Sequence, residues 1–176
     1  MAARTPAGAP AATTFMDPAL MPWVLVSELY WMSYKLLERR LYDLGVSASQ
    51  ARVLAVLHYA PEPIKPSLIA TLLFQETQSI TGILQRIESR GWVVRTPDPN
   101  DRRAVGLQLT DAGRKLTSEI VQIMRGLYDE LFGAALGAAE RRQVESGLRK
   151  VLALAFKLPE TDFKLRRAQQ FPIWKD

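Results

Sequence analysis

Cysteine is absent from this chain, and histidine occurs once, at His58. The first absence removes disulfides, thiol nucleophiles and thiol redox sensing; the second leaves a zinc site short of its usual ligands. There is no glycine-rich phosphate loop and no acid pair with a nucleophile beside it, so no catalytic constellation can be assembled. The expectation is a protein that is not an enzyme and uses no cofactor and no metal. No apolar run is long enough to span a bilayer, and no hydrophobic stretch follows Arg4. Residues 1–22, rich in Ala, Pro and Thr, therefore read as a flexible tail, and the chain as a cytoplasmic protein with no membrane partner.

What is present fits one domain with a real core: 176 residues, 48% of them hydrophobic. Lys and Arg total 23 against 18 Asp and Glu, a net charge of +5, which favours a polyanionic partner. Placement says more than the total. Arg86, Arg90, Arg95, Arg102, Arg103, Arg114 and Lys115 cluster in one stretch, while Asp129, Glu130, Glu140 and Glu145 lie beyond it. Residues 159–176 carry Lys164, Arg166 and Arg167 and read as a solvated extension.

Residues 23–45 read as a helix with two adjacent apolar rows, Leu25, Leu29, Met32 and Leu36 beside Val26, Tyr30, Leu37, Leu41 and Leu44, ended by Gly45. The stripe is wider than packing on one neighbour requires, which suggests a subunit interface. Ser47 and Gln50 form a capping box that opens a second helix to about Tyr59, stopped by Pro61 and Pro63. Two helical segments follow, Ser67 to about Leu73 and Thr77 to about Arg90, the second with Ile80, Ile83, Leu84 and Ile87 on one face. Gly91 closes it.

Arg95 to Thr110 then reads as a β-hairpin. Val93 to Arg95 and Val105 to Leu109 are β-rich, with Val105, Leu107 and Leu109 in alternation, and Pro97, Asp98, Pro99 and Asn100 form turns. The prolines stiffen a projecting tip that carries Asp101, Arg102 and Arg103. Thr110 caps a helix bearing Leu116, Ile120, Ile123, Leu127 and Leu131; after a break between Gly133 and Gly137, a last helix runs to about Phe156. The fold class is mainly α with a two-stranded β-wing. Its core is a winged helix-turn-helix, residues 46–110, bracketed by helices at 23–45 and 111–158. In that architecture the longer helix lies in the DNA major groove and the hairpin reaches toward the minor groove.

The run IESRGWVVRTPDPNDRRAVGLQLTDAGRKL resembles the MarR family of bacterial transcriptional regulators, at Ile87, Glu88, Gly91, Val93, Val94, Arg95, Asp101, Arg103, Leu109, Thr110 and Gly113. The resemblance implies a homodimer held by the terminal helices, a pseudo-palindromic double-stranded DNA operator, and a small, often aromatic effector that relieves repression. Within it, Arg103 is the minor-groove contact, held by Asp101, and Arg102 meets phosphate or solvent. Thr77, Gln78, Thr81 and Gly82 lie within reach of base edges, with Gln78 suited to adenine and Thr81 to a thymine methyl. Ser79 and Arg86 position the DNA backbone, and Arg95 adds to the basic flank. Trp31, Tyr34, His58 and Tyr59 are candidates to line an effector pocket, although packing accounts more readily for aromatic residues at this spacing. The chain departs from the family in the neutral run between Lys65 and Arg86, in Glu76, in Gly82, and in Phe74 and Gln75 before the reading helix. These shift affinity toward the wing, and a winged helix that docks on protein is the alternative.

Overall fold

The computed structural model describes the backbone of residues 17–98 and 101–158, and the side chains of all of these except 98 and 101–104. The tail readings for 1–16 and 159–176 lie outside the described residues. Two compact units divide the chain, 1–35 and 36–176.

In the first unit, Asp17 accepts the Ala19 amide at 2.9 Å and caps a 3₁₀ turn, Pro18–Leu20, that leads into α1 (Met21–Leu41). The helix starts two residues before Trp23 because this cap and the preset φ of Pro18 nucleate it early. Trp23 and Trp31 are 76% and 58% exposed, and Leu25, Val26, Leu29, Tyr30 and Met32 are exposed as well. So much apolar surface on one helix marks an interaction face.

The second unit begins with the last turns of α1, which bury Leu37 and Leu41. The helix narrows to a 3₁₀ turn at Tyr42–Leu44 and ends at Gly45 with φ 62, a left-handed stop that glycine takes without Cβ strain. Both arms of the capping box form at α2 (Ala48–Tyr59): Ser47 Oγ accepts from the Gln50 amide at 3.2 Å, and Gln50 Oε1 accepts from the Ser47 amide at 2.9 Å. After α3 (Pro66–Leu72) and α4 (Thr77–Ser89), Gly91 at φ 71 turns the chain into the wing. Val53, Leu54, Leu57, Ile69, Ile80, Leu84, Ile87 and Ile120 form the core of this unit.

β1 (Val93–Asp98) and β2 (Asp101–Leu109) pair antiparallel from Val93↔Leu109 to Pro97↔Val105, then slip in register to Asp98↔Asp101. The strands are thus longer than the sequence predicts: Asp101, Arg102 and Arg103 fall within β2, and Asp101 pairs with Asp98. Pro97, expected in the turn, instead pairs with Val105, because an edge strand of a two-stranded ladder tolerates proline. Leu107 and Leu109 are buried as expected, whereas Val105 is 45% exposed because the hairpin extends past the core there. Ile64 adds a bridge to Leu107: its amide donates to the Leu107 carbonyl at 3.0 Å, and its carbonyl accepts from the Leu107 amide at 2.9 Å. The loop after α2 thereby anchors the base of the wing.

Thr110 caps α5 (Asp111–Tyr128), and a π-helical turn, Asp129–Gly133, carries the chain toward α6 (Ala138–Ala155). Arg40 near the end of α1 grips Glu130 in that turn with both guanidinium arms, and these hydrogen bonds hold the Glu130 carboxyl below its ordinary range. α6 buries none of its residues. Among the described residues, no helix is long and apolar enough to cross a membrane.

Candidate nucleic-acid interface

α4 is amphipathic in the manner a reading helix requires. Ile80, Leu84 and Ile87 are within 1% of full burial, which turns Thr77, Gln78, Ser79, Thr81, Gln85 and Arg86 outward. Thr81 Oγ1 donates to the Thr77 carbonyl at 2.9 Å, so its hydroxyl proton is used within the helix and its methyl remains for apolar contact. Glu76 stands at the N-cap without a side-chain capping bond, and Gly82 lies half-buried in mid-helix.

Arg95 is placed differently from the other candidates. Its Nε and Nη2 donate to the two carboxylate oxygens of Glu88 at 2.7 and 3.0 Å, a bidentate pair joining the last turn of α4 to β1. These hydrogen bonds raise the Arg95 pKa further, so its guanidinium stays charged. The bidentate fork fixes direction as well as distance, and so sets the angle between wing and helix. The backbone of Asp101, Arg102 and Arg103 lies in β2, and their side chains fall outside the described set.

Three further residues brace the wing without any clear signal in the sequence. Glu62 Oε1 accepts the Leu109 amide at 2.9 Å, and its Oε2 accepts from Arg114 Nη1 at 3.3 Å, tying the loop after α2 to the end of β2 and the first turn of α5. Arg90 donates to the Gly45 carbonyl at 2.6 Å and lies 4.9 Å over the Trp92 ring. Glu62→Ala removes the acceptor of a half-buried amide, at a cost of about 1–2 kcal/mol. Urea denaturation is expected to show that loss, with faster hydrogen exchange at Leu109; an unchanged exchange rate would assign no bracing role to Glu62.

The effector candidates form ring pairs. Trp31 and Tyr34 sit 6.5 Å apart on α1, and His58 and Tyr59 sit 4.8 Å apart, both exposed, at the end of α2. None of them lines the groove of about 380 Å³ found between the end of α5 and α6, whose walls include Tyr128, Phe132, Arg141, Leu148, Leu152 and Phe156. Phe156 also meets Phe74 in a tilted ring contact, their centroids 5.9 Å apart and their planes 37° from parallel. Phe74 occupies the turn before α4 with φ 54, a conformation that a bulky residue rarely takes.

The family model for the MarR family matches residues 44–104. The transcriptional repressor MprA of Escherichia coli is 32% identical over 126 residues, 69% of this chain and 71% of MprA. The HTH-type transcriptional repressor NicR of Pseudomonas putida is 30% identical over 149 residues, 84% of this chain and 92% of NicR. Among solved structures, wild-type MarR from E. coli in its apo form aligns with a TM-score of 0.63 at 31% identity, covering 74% of this chain and 96% of that one.

Proposed function

The chain belongs to the MarR family of DNA-binding transcriptional regulators, and from that premise we propose that it is a homodimeric repressor whose affinity for a pseudo-palindromic operator falls when a small ligand binds. The observation that carries this reading is the outward polar face of α4 beside a wing locked to it by the Glu88–Arg95 pair. Two such modules related by a twofold axis meet half-sites about 10 bp apart. Gln78 and Thr81 read base edges, Thr77 and Gly82 adjoin them, and Ser79 and Arg86 hold the DNA backbone. Arg103 enters the minor groove with Asp101 orienting its fork, and Arg102 meets phosphate.

The subunits associate through the exposed apolar faces of residues 23–45 and 111–158, and the reading module occupies 46–110. The protein acts in the cytoplasm and catalyses no reaction. A small, possibly aromatic molecule bound near Trp31, Tyr34, His58 and Tyr59 shifts the dimer toward a spacing that mismatches the operator. It does so only through differential affinity for the two dimer states.

Arg103→Ala tests the wing. Fluorescence anisotropy on DNA from upstream of the gene, against scrambled DNA and across a salt series, is expected to show selective, salt-sensitive binding that the variant weakens by about 1–3 kcal/mol. Selective binding unaffected by the substitution would remove Arg103 from the interface. Absence of any salt-dependent DNA binding would favour a protein partner.

A further inference from the structure

Gly82 has no internal reason to be glycine. It lies in the middle of α4, where glycine is the poorest residue after proline, and its φ lies outside the left-handed region that glycine alone tolerates. A Cβ built there meets nothing within 4 Å, so no neighbouring element demands the space. Its neighbours one turn away on either side, Gln78, Ser79, Gln85 and Arg86, are all exposed, while the buried residues Ile80, Leu84 and Ile87 lie on the opposite face. Gly82 is the floor of a shallow notch ringed by four polar side chains, on the surface that the proposed function turns toward DNA.

We propose that Gly82 is a specificity-determining position, its missing side chain leaving room for the C5 methyl of a thymine in the major groove. The inference rests on the DNA-reading role of α4. The chemistry of the ring matches the choice of base: the Gln78 and Gln85 amides can pair bidentately with adenine N6 and N7, so the notch and its rim together select A·T pairs. The floor offers only Cα–H and the helix backbone, a surface that suits a methyl and no charged or hydrogen-bonding group. Each dimer presents two notches, one to each half-site.

Operator DNA is first selected from a random pool with the intact protein, and thymine is then replaced by uracil at each A·T position in turn. Wild type is expected to lose about fourfold per methyl at one position in each half-site, the factor that burial of one such group supplies. In Gly82→Ala the new methyl fills the notch; operator affinity is expected to fall at least tenfold, and the thymine–uracil difference at that position to vanish. The same variant is expected to melt about 2–4 °C higher, because alanine favours the helix. Opposite signs for stability and binding separate this role from packing. A Gly82→Ala protein that binds as tightly as wild type, keeps the thymine preference, or melts lower overturns the proposal. Failure of the wild type to enrich any DNA overturns the reading of α4 itself, an outcome distinct from loss of the notch alone.

Discussion

Replacing Leu148 and Val151 together with aspartate is expected to split the proposed homodimer while leaving the protomer folded. The two residues lie one turn apart on α6 and are 45% and 68% exposed, so little of either is used inside the protomer. Substitution at such sites changes protomer stability by only a few tenths of a kcal/mol. Across a twofold interface the effect is different, since every change occurs twice. Each buried aliphatic side chain lost removes about 1.5–3 kcal/mol, and each aspartate adds the cost of a carboxylate facing an apolar surface. A total of about 5 kcal/mol or more raises the dimer dissociation constant by at least about a thousandfold. Sedimentation equilibrium is expected to find monomers at micromolar concentration with an unchanged circular dichroism spectrum. Operator affinity is expected to fall as dimerisation is lost, because the second half-site no longer profits from tethering. A double variant that still sediments as a dimer would place the interface elsewhere.

The elements that the sequence makes plain are those built by local chemistry. Ser47 and Gln50 announce α2, Gly91 ends α4, and Thr110 caps α5, each acting within four residues of itself. The apolar spacing of Ile80, Leu84 and Ile87 likewise suffices to orient α4, because a helix of 3.6-residue period can bury only one stripe. Contacts between distant segments are what the sequence hides. Ile64 stands alone between Pro63 and Lys65 and has no periodicity to betray its bridge to Leu107. Glu62 reads as one more charge in a turn until the fold brings Leu109 and Arg114 against it.

The candidate site shows the same division. The outward placement of Gln78, Thr81 and Arg86 follows from the inward placement of the isoleucines, and was legible. In the sequence Arg95 reads as part of the basic flank, but Glu88, seven residues earlier across a turn, takes both of its guanidinium arms. Charge alone does not reveal such a pairing; it requires the turn at Gly91 to bring β1 back against the end of α4. Phe74 is a harder case, because a left-handed turn normally announces itself with glycine or asparagine. Its ring contact with Phe156 supplies packing that opposes the backbone cost, and it brings the end of α6 into contact with the turn before the reading helix.

Gly113→Ala is expected to be the most damaging conservative change in the chain. A Cβ at this position falls 1.9 Å from the Trp92 carbonyl oxygen and 2.8 Å from its carbon, and both are backbone atoms with no rotamer to escape by. That carbonyl already accepts the Thr110 amide at 3.0 Å; Thr110 Oγ1 donates to the Gly91 carbonyl at 2.7 Å and accepts from the Gly113 amide at 3.0 Å. Any shift of α5 that relieves the clash therefore breaks the bonds holding the end of β2 and the first turn of α5 to the turn after α4. Overpacking of about 1–3 kcal/mol adds to about 1–3 kcal/mol for a buried hydrogen bond lost, so a stability loss of about 2–6 kcal/mol is expected by urea denaturation. Operator binding is expected to fall even where the variant is fully folded, since the displaced junction joins the wing to α4. Gly126→Ala is the internal comparison, on the same helix and with nothing within 4 Å of its Cβ. There the substitution is expected to stabilise by about 0.5–1 kcal/mol, because only helix propensity changes. If the two substitutions shift stability in the same direction, steric contact with Trp92 is not what holds position 113 at glycine.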